Sequence, residues 1–270
     1  MNNKNLIKTG TAIYAIGVAG MALQQFYYGD FRPVFLPDAW PAWLHQKSLA
    51  YVFATILLVT SAMIIINKKT FIAGLIQAVL FFIFFLFFHT PFLLFINIYS
   101  PLHLGLWSNA LKELAFCGSA LIVATSLINN NEAVAFPSYK LSQSLYSVGI
   151  FFFCFMLTCF GIDHFLYPDF VASLVPSWMP GKLFWTYFAG VALAGAGLAI
   201  FFKIKTKTVA LLTAIMLFLW LILLHIPRAA VAPSTDNSNE LTSVFQAFAF
   251  GGIALIIAYS KQAEIKNKLI

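Results

Sequence analysis

Charge is what this sequence lacks most. Of 270 residues, 9% are Asp, Glu, Lys or Arg, against about 25% in a soluble domain. That scarcity, with 61% hydrophobic residues, 30 Phe and a mean hydropathy of +0.88, excludes a water-soluble globular protein, whose surface would be one large apolar patch. It also excludes a disordered chain, which is polar and poor in aromatics. No run of basic residues is present to grip a phosphate backbone, so nucleic acid is not an expected partner. The net charge of +7 has a simpler source in the basic cytoplasmic loops of membrane proteins. Cysteine is scarce too. Cys117, Cys154 and Cys159 lie in apolar segments with no CxxC pair, so they read as structural. His-x-x-His and Glu-x-x-His spacings are missing, and no metal site is expected. No small-x-small cleavage site follows the first apolar stretch, which is expected to be a retained span.

What is present is length of apolar run. About 20 apolar residues cross a bilayer as a helix, and eight segments approach that: 9–28, 49–66, 71–89, 106–125, 141–162, 184–202, 208–225 and 242–259. No ten-residue alternation of the barrel type occurs. The expected fold class is all-α, a polytopic membrane protein of eight transmembrane helices. Lysine sets its orientation. Eleven basic residues lie at the N-terminus, the even loops and the C-terminus, and five lie on the other face. With the acidic residues the two faces carry +9 and −2. Both termini are therefore expected in the cytoplasm of a bacterial inner-membrane protein. All five His (His45, His89, His103, His164, His225) fall on or near the outer, periplasmic side.

The two halves resemble each other. Gln24-Gln25-Phe26-Tyr27-Tyr28-Gly29-Asp30-Phe31 aligns with Asp163-His164-Phe165-Leu166-Tyr167-Pro168-Asp169-Phe170. Pro37 and Pro41 then fall on Pro176 and Pro180, His89-Thr90-Pro91 on His225-Ile226-Pro227, and the segment 116–126 on 250–260, with the offset drifting only from 139 to 134. The expectation is two parallel four-helix repeats, residues 1–131 and 132–270, related by a pseudo-twofold along the membrane normal.

Phe160-Gly161-Ile162-Asp163-His164-Phe165, then Leu174-Val175-Pro176-Ser177-Trp178-Met179-Pro180, then Trp185-x-Tyr187-x-x-Gly190 resemble the DoxX-like superfamily of small four-helix membrane proteins. The resemblance covers about 145–260 directly and the first half by way of the repeat. It includes the small subunit of a thiosulfate:quinone oxidoreductase, the MauE group that supports maturation of a secreted amine dehydrogenase, an endoplasmic-reticulum cargo receptor and a receptor-assembly chaperone. It implies a redox, receptor or assembly role, with quinone as the cofactor in the first case. The first half departs from the motif, carrying Gln24-Gln25 where the second has Asp163-His164.

Several residues are candidates for chemistry. His89 and His225 each precede a Pro by two residues and stand at expected span ends. Either they cap helix carbonyls, or they line a cavity and bond a quinone carbonyl or an anion, with Arg228 beside His225. Asp163-His164 offers a proton acceptor with a carboxylate neighbour, or an interfacial ion pair. Lys112 and Glu113 lie in the first two turns of the fourth span, on a face shared with Asn109. Glu113 is about 10 Å in from Leu106 at 1.5 Å per residue. Ionisable groups at such depth face the protein interior and mark function, unless the span starts later and leaves them among headgroups. The aligned second-half residues are Ser243, Gln246 and Ala247. The Pro- and Trp-rich outer loops, 34–43 and 174–185, read as interfacial segments or as lids.

Three functions fit. The first is a quinone-linked redox membrane subunit, or a redox-support protein serving a periplasmic or membrane redox partner. The second is a non-enzymatic assembly factor or receptor for an exported partner. The third is a small-solute transporter.

Overall fold

The computed structural model describes residues 2–38, 40–41, 43–96, 103–127, 139–231 and 239–260. The linker 128–138, Asp236 and the basic residues beyond 260 lie outside them. Every regular element among the described residues is a helix. The long ones are α1 (Asn3–Tyr28), α2 (Lys47–Ile65), α3 (Thr70–Ile96), α4 (Ser108–Ser126), α5 (Tyr139–Leu166), α7 (Lys182–Phe201), α8 (Thr206–Val231) and α9 (Asn239–Tyr259). The short helix α6 (Pro168–Leu174) follows α5.

Seven of the eight long helices are long and apolar enough to cross a membrane. The exception is α4, whose Asn109, Lys112 and Glu113 dilute its hydropathy. Its environment permits this. Fourteen of its residues are buried, so it meets other helices rather than lipid. Seven candidate spans thus stand where eight were expected, and α4, the expected fourth, is a helix surrounded largely by protein.

Helices α3 and α8 overturn an expected boundary. Both were to end at the histidine before Pro91 and Pro227. Instead both continue past the proline, through π-helical turns at Phe84–His89 and Leu221–His225. A proline within a helix removes one N–H and clashes with the carbonyl four residues back. The wider π turn moves that carbonyl aside. Neither histidine is at a helix end, so neither caps one.

Consecutive long helices pack as neighbours, α1 on α2, α3 on α4, α5 on α7 and α8 on α9. Two further contacts, α1 on α9 and α4 on α5, join the halves, and α4 meets α9 at the centre. Glycine sets both of these crossings. A Cβ on Gly10 would stand 2.6 Å from the Gly252 carbonyl oxygen, and one on Gly118 would stand 2.6 Å from that of Gly149. Small residues let helix backbones approach this closely where lipid supplies no hydrophobic drive. The offsets 139 and 134 carry Gly10 onto Gly149 and Gly118 onto Gly252. Phe116 and Phe250, also aligned, meet with ring centroids 4.6 Å apart. The turns between α2 and α3 and between α7 and α8 match as well: Asn67 and Lys69, then Lys203 and Lys205, all have positive φ.

A buried carboxyl under an inserted loop

The loop after α1 is where the two halves part. Glycine at Gly29 (φ 68°) closes α1, and the chain then turns back into the bundle. Phe31, Val34, Phe35 and Leu36 are buried. Phe35 lies 5.1 Å from Phe53 and 6.2 Å from Phe81 between ring centroids, and Phe31 lies 5.6 Å from Phe84. Three side chains hold the segment by its backbone or close beside it. His89 Nε2 donates to the Val34 carbonyl (2.8 Å), Asn109 Nδ2 to that of Pro33 (3.3 Å), and Trp40 Nε1 to that of Phe88 (3.2 Å). Arg32 is fully buried with its guanidinium 4.2 Å from the Tyr28 ring centre, a cation–π contact. Burial lowers its affinity for the proton while Tyr28, Asp30 and Asp38 raise it; the guanidinium stays charged.

Beneath this loop the interior of the first half is polar. Tyr14 Oη donates to Gln77 Oε1 (2.9 Å), and Gln77 Nε2 donates to Thr60 Oγ1 (3.0 Å) and Ser61 Oγ (3.1 Å). Each hydrogen-bonding group of the Gln77 amide is thereby used. The sequence reading missed this cluster, although a Tyr and a Gln inside apolar spans are a signal of interior-facing positions.

Glu113 is 0% exposed, and neither carboxyl oxygen has a hydrogen-bond partner among the described residues. Gln24 and Gln25 on α1 are buried with both amide ends unpartnered. Gln25 shares the α1 stripe of Tyr14 and Val18 (i, i+4, i+11). Tyr14 in turn lies within electrostatic range of Glu113. An ionised carboxylate buried without a partner costs several kcal/mol (about 3–5), so this group calls for a proton, a cation or a donor.

The other expected site residues fall in three places. Lys112 is half-buried and within electrostatic range of His89, so Glu113, Lys112 and His89 belong to one end of the first half. Asp163 and His164 point apart. Asp163 faces the field of His103, which stacks on Tyr167 at 4.4 Å. His164 Nδ1 donates to its own helix at the Phe160 carbonyl (2.6 Å), and its ring stacks on Trp220. His225 and Arg228 converge on Glu240, at 3.7 Å for the histidine and by a hydrogen bond for the arginine, and Arg228 also donates to the Leu174 carbonyl (3.2 Å). Glu240 was not foreseen; it is an acidic residue in the first turn of the next helix. All three cysteines are buried and free. Among the described residues no group of His, Cys, Asp and Glu gathers as metal ligands.

Residues 153–248 match the model of a family described as a domain of unknown function (DUF8561). No curated protein and no solved structure matches the chain.

Proposed function

We propose that this is an inner-membrane protein of eight spans in two parallel four-helix repeats, 1–131 and 132–270, with both termini cytoplasmic, and that its first repeat handles protons for a membrane redox partner. The duplication draws support from the aligned glycine crossings, π turns and positive-φ turns. The orientation rests on the distribution of lysine. One observation carries the chemistry: the Glu113 carboxyl, fully buried with both oxygens unpartnered. A carboxyl so placed takes and releases a proton as its surroundings change, a general acid–base role. Lys112 and His89 lie toward the outer end, and the Tyr14–Gln77–Thr60–Ser61 chain lies deeper. Together they supply polar groups along the bundle interior that a proton route needs.

The DoxX-like resemblance raises the question of a quinone. Holding a quinone headgroup takes donors that face a cavity. His89 Nε2 is committed to Val34, and the buried polar atoms of Glu113, Gln24 and Gln25 border no space open to water. A groove of about 190 Å³ between α5 and α7 is lined by Phe151, Phe155, Leu198 and Phe201 with Cys154 and Thr158, and the Thr158 hydroxyl donates to the Cys154 carbonyl. These residues do not fit a quinone headgroup. On this reading the electron carrier belongs to the partner, and this chain supplies the proton.

The test is a pH-difference infrared spectrum of the protein in lipid nanodiscs. A carboxyl C=O band that responds to pH and vanishes in Glu113→Gln is the expected result. A spectrum unchanged by that substitution removes the proposal. A receptor role for an exported partner keeps one observation of its own, the exposed aromatics Phe170 (66%) and Trp178 (63%) on the outer segment of the second half. Such a role predicts that their removal abolishes partner capture and leaves the infrared band intact.

A further inference from the structure

The inserted loop has no structural duty that the second half shares. The aligned loop there lies on the surface, and the second half holds together without it. In the first half the segment 31–36 fills the bundle between α2, α3 and α4. Asn109 lies one helical turn outward of Glu113 on the same face of α4. The Pro33 carbonyl that Asn109 holds therefore lies on the Asn109 side of Glu113, toward the N-terminal end of α4.

We propose that residues 31–36 are a plug that closes the outer approach to Glu113, with His89 as the positioning residue that latches it. This rests on the proton-handling role given to Glu113 and adds how access to it is controlled. The latch is specific. A π turn, absent from an ordinary helix and frequent at functional sites, ends on His89 and brings its Nε2 to the Val34 carbonyl. The same turn in the second half brings His225 to Glu240 instead, where no inserted loop is present. The segment is held by two side-chain hydrogen bonds to its backbone, the neighbouring Trp40 bond, the Arg32–Tyr28 cation–π contact and aromatic packing. In this proposal the segment opens by local rearrangement, with the helices left in place. When it swings out, Glu113 meets outer water and exchanges its proton. When it returns, the carboxyl is dry again.

Two measurements test this. In the first, the protein in nanodiscs is moved into deuterium oxide and the rate at which the Glu113 band shifts is followed. His89→Ala should exchange about fivefold faster than wild type, the effect of one hydrogen bond on an opening equilibrium. His89→Gln, whose amide nitrogen can still donate to Val34, should restore slow exchange. Equal rates in all three overturn the latch. The second measurement places a cysteine in the plug, Phe35→Cys, and labels intact cells with a membrane-impermeant maleimide. Slow labelling with His89 present and fast labelling with His89→Ala are expected. Labelling of Phe35→Cys at the rate of an exposed cysteine with His89 intact overturns the plug. A missing carboxyl band removes the proton role, and the labelling result still decides the plug.

Discussion

Phe31 and Phe170 occupy aligned positions in the two halves, yet Phe31 is 5% exposed and Phe170 66%. The same divergence runs through the interiors. Where the first half has Tyr14, Gln77 and Glu113, the second has Phe153, Thr213 and Ala247. Where the first half closes a loop over its polar interior, the second lays α6 outside and pairs Arg228 with Glu240 at its rim. The frame is common: glycine crossings, π turns and left-handed turns recur at aligned residues. The frame recurs while the interiors differ: the first holds the hydrogen-bonded Tyr14–Gln77–Thr60–Ser61 cluster and Glu113, and the second holds the buried Asp163 and Gln246, each with a polar atom unpartnered among the described residues. Polar groups are costly to bury, and the first half carries the larger joined set of them, so it is the half in which to seek function.

The largest expected effect lies at the loops. Phe31→Ala should lower stability by about 3 kcal/mol, the cost of emptying an aromatic site in a packed interior. Phe170→Ala should change it by less than about 0.5 kcal/mol. Thermal unfolding in detergent compares them, and equal shifts would erase the contrast between the loops.

Next come the crossings. Gly118→Val forces a side chain against the Gly149 carbonyl and should cost about 1–3 kcal/mol or more, seen as loss of the monodisperse peak in size-exclusion chromatography. Gly195→Val, where an added Cβ meets nothing within 4 Å, should elute like wild type. If both variants behave alike, close approach of the halves is not what these glycines provide.

Within the first half, Gln77→Leu strands the Tyr14 hydroxyl and should cost about 1–3 kcal/mol. Adding Tyr14→Phe should recover part of that loss, because the two groups share one hydrogen bond. Thr213→Val at the aligned position breaks only a bond within its own helix and should cost less. A double-mutant cycle on purified protein measures the coupling, and strict additivity would mean that the cluster is not a unit.

The smallest effect belongs to the second half's rim. Glu240→Gln should cost about 1 kcal/mol or less, since both partners are partly exposed, and the difference from wild type should shrink at high salt. A salt-independent loss would show that the contact is one of packing.

Much of this was readable in the chain. The apolar runs gave the helices, and the position of Glu113 within the fourth expected span pointed to a protein-facing carboxyl, which the structure buries. Other features were not readable, for identifiable reasons. The Tyr14–Gln77–Thr60–Ser61 cluster joins side chains 16, 17 and 63 residues apart, so no local pattern announces it. The continuation of α3 and α8 beyond Pro91 and Pro227 depends on π turns that have no residue signature. Loops 34–43 and 174–185 share a Pro- and Trp-rich composition, and only one of them inserts.

Low charge and long apolar runs determined by themselves that the chain is all-helical with helices long and apolar enough to cross a membrane, because few other environments solvate such a surface. They also determined that polar residues within those helices face inward, because lipid offers them no partner. Which of them meet, and whether a loop covers them, was decided by the tertiary structure alone. Both depend on how closely helices approach and on how much space remains between them. Small differences in side-chain volume, Gln25 against His164 or Ala247 against Glu113, settle both without altering the hydrophobic pattern.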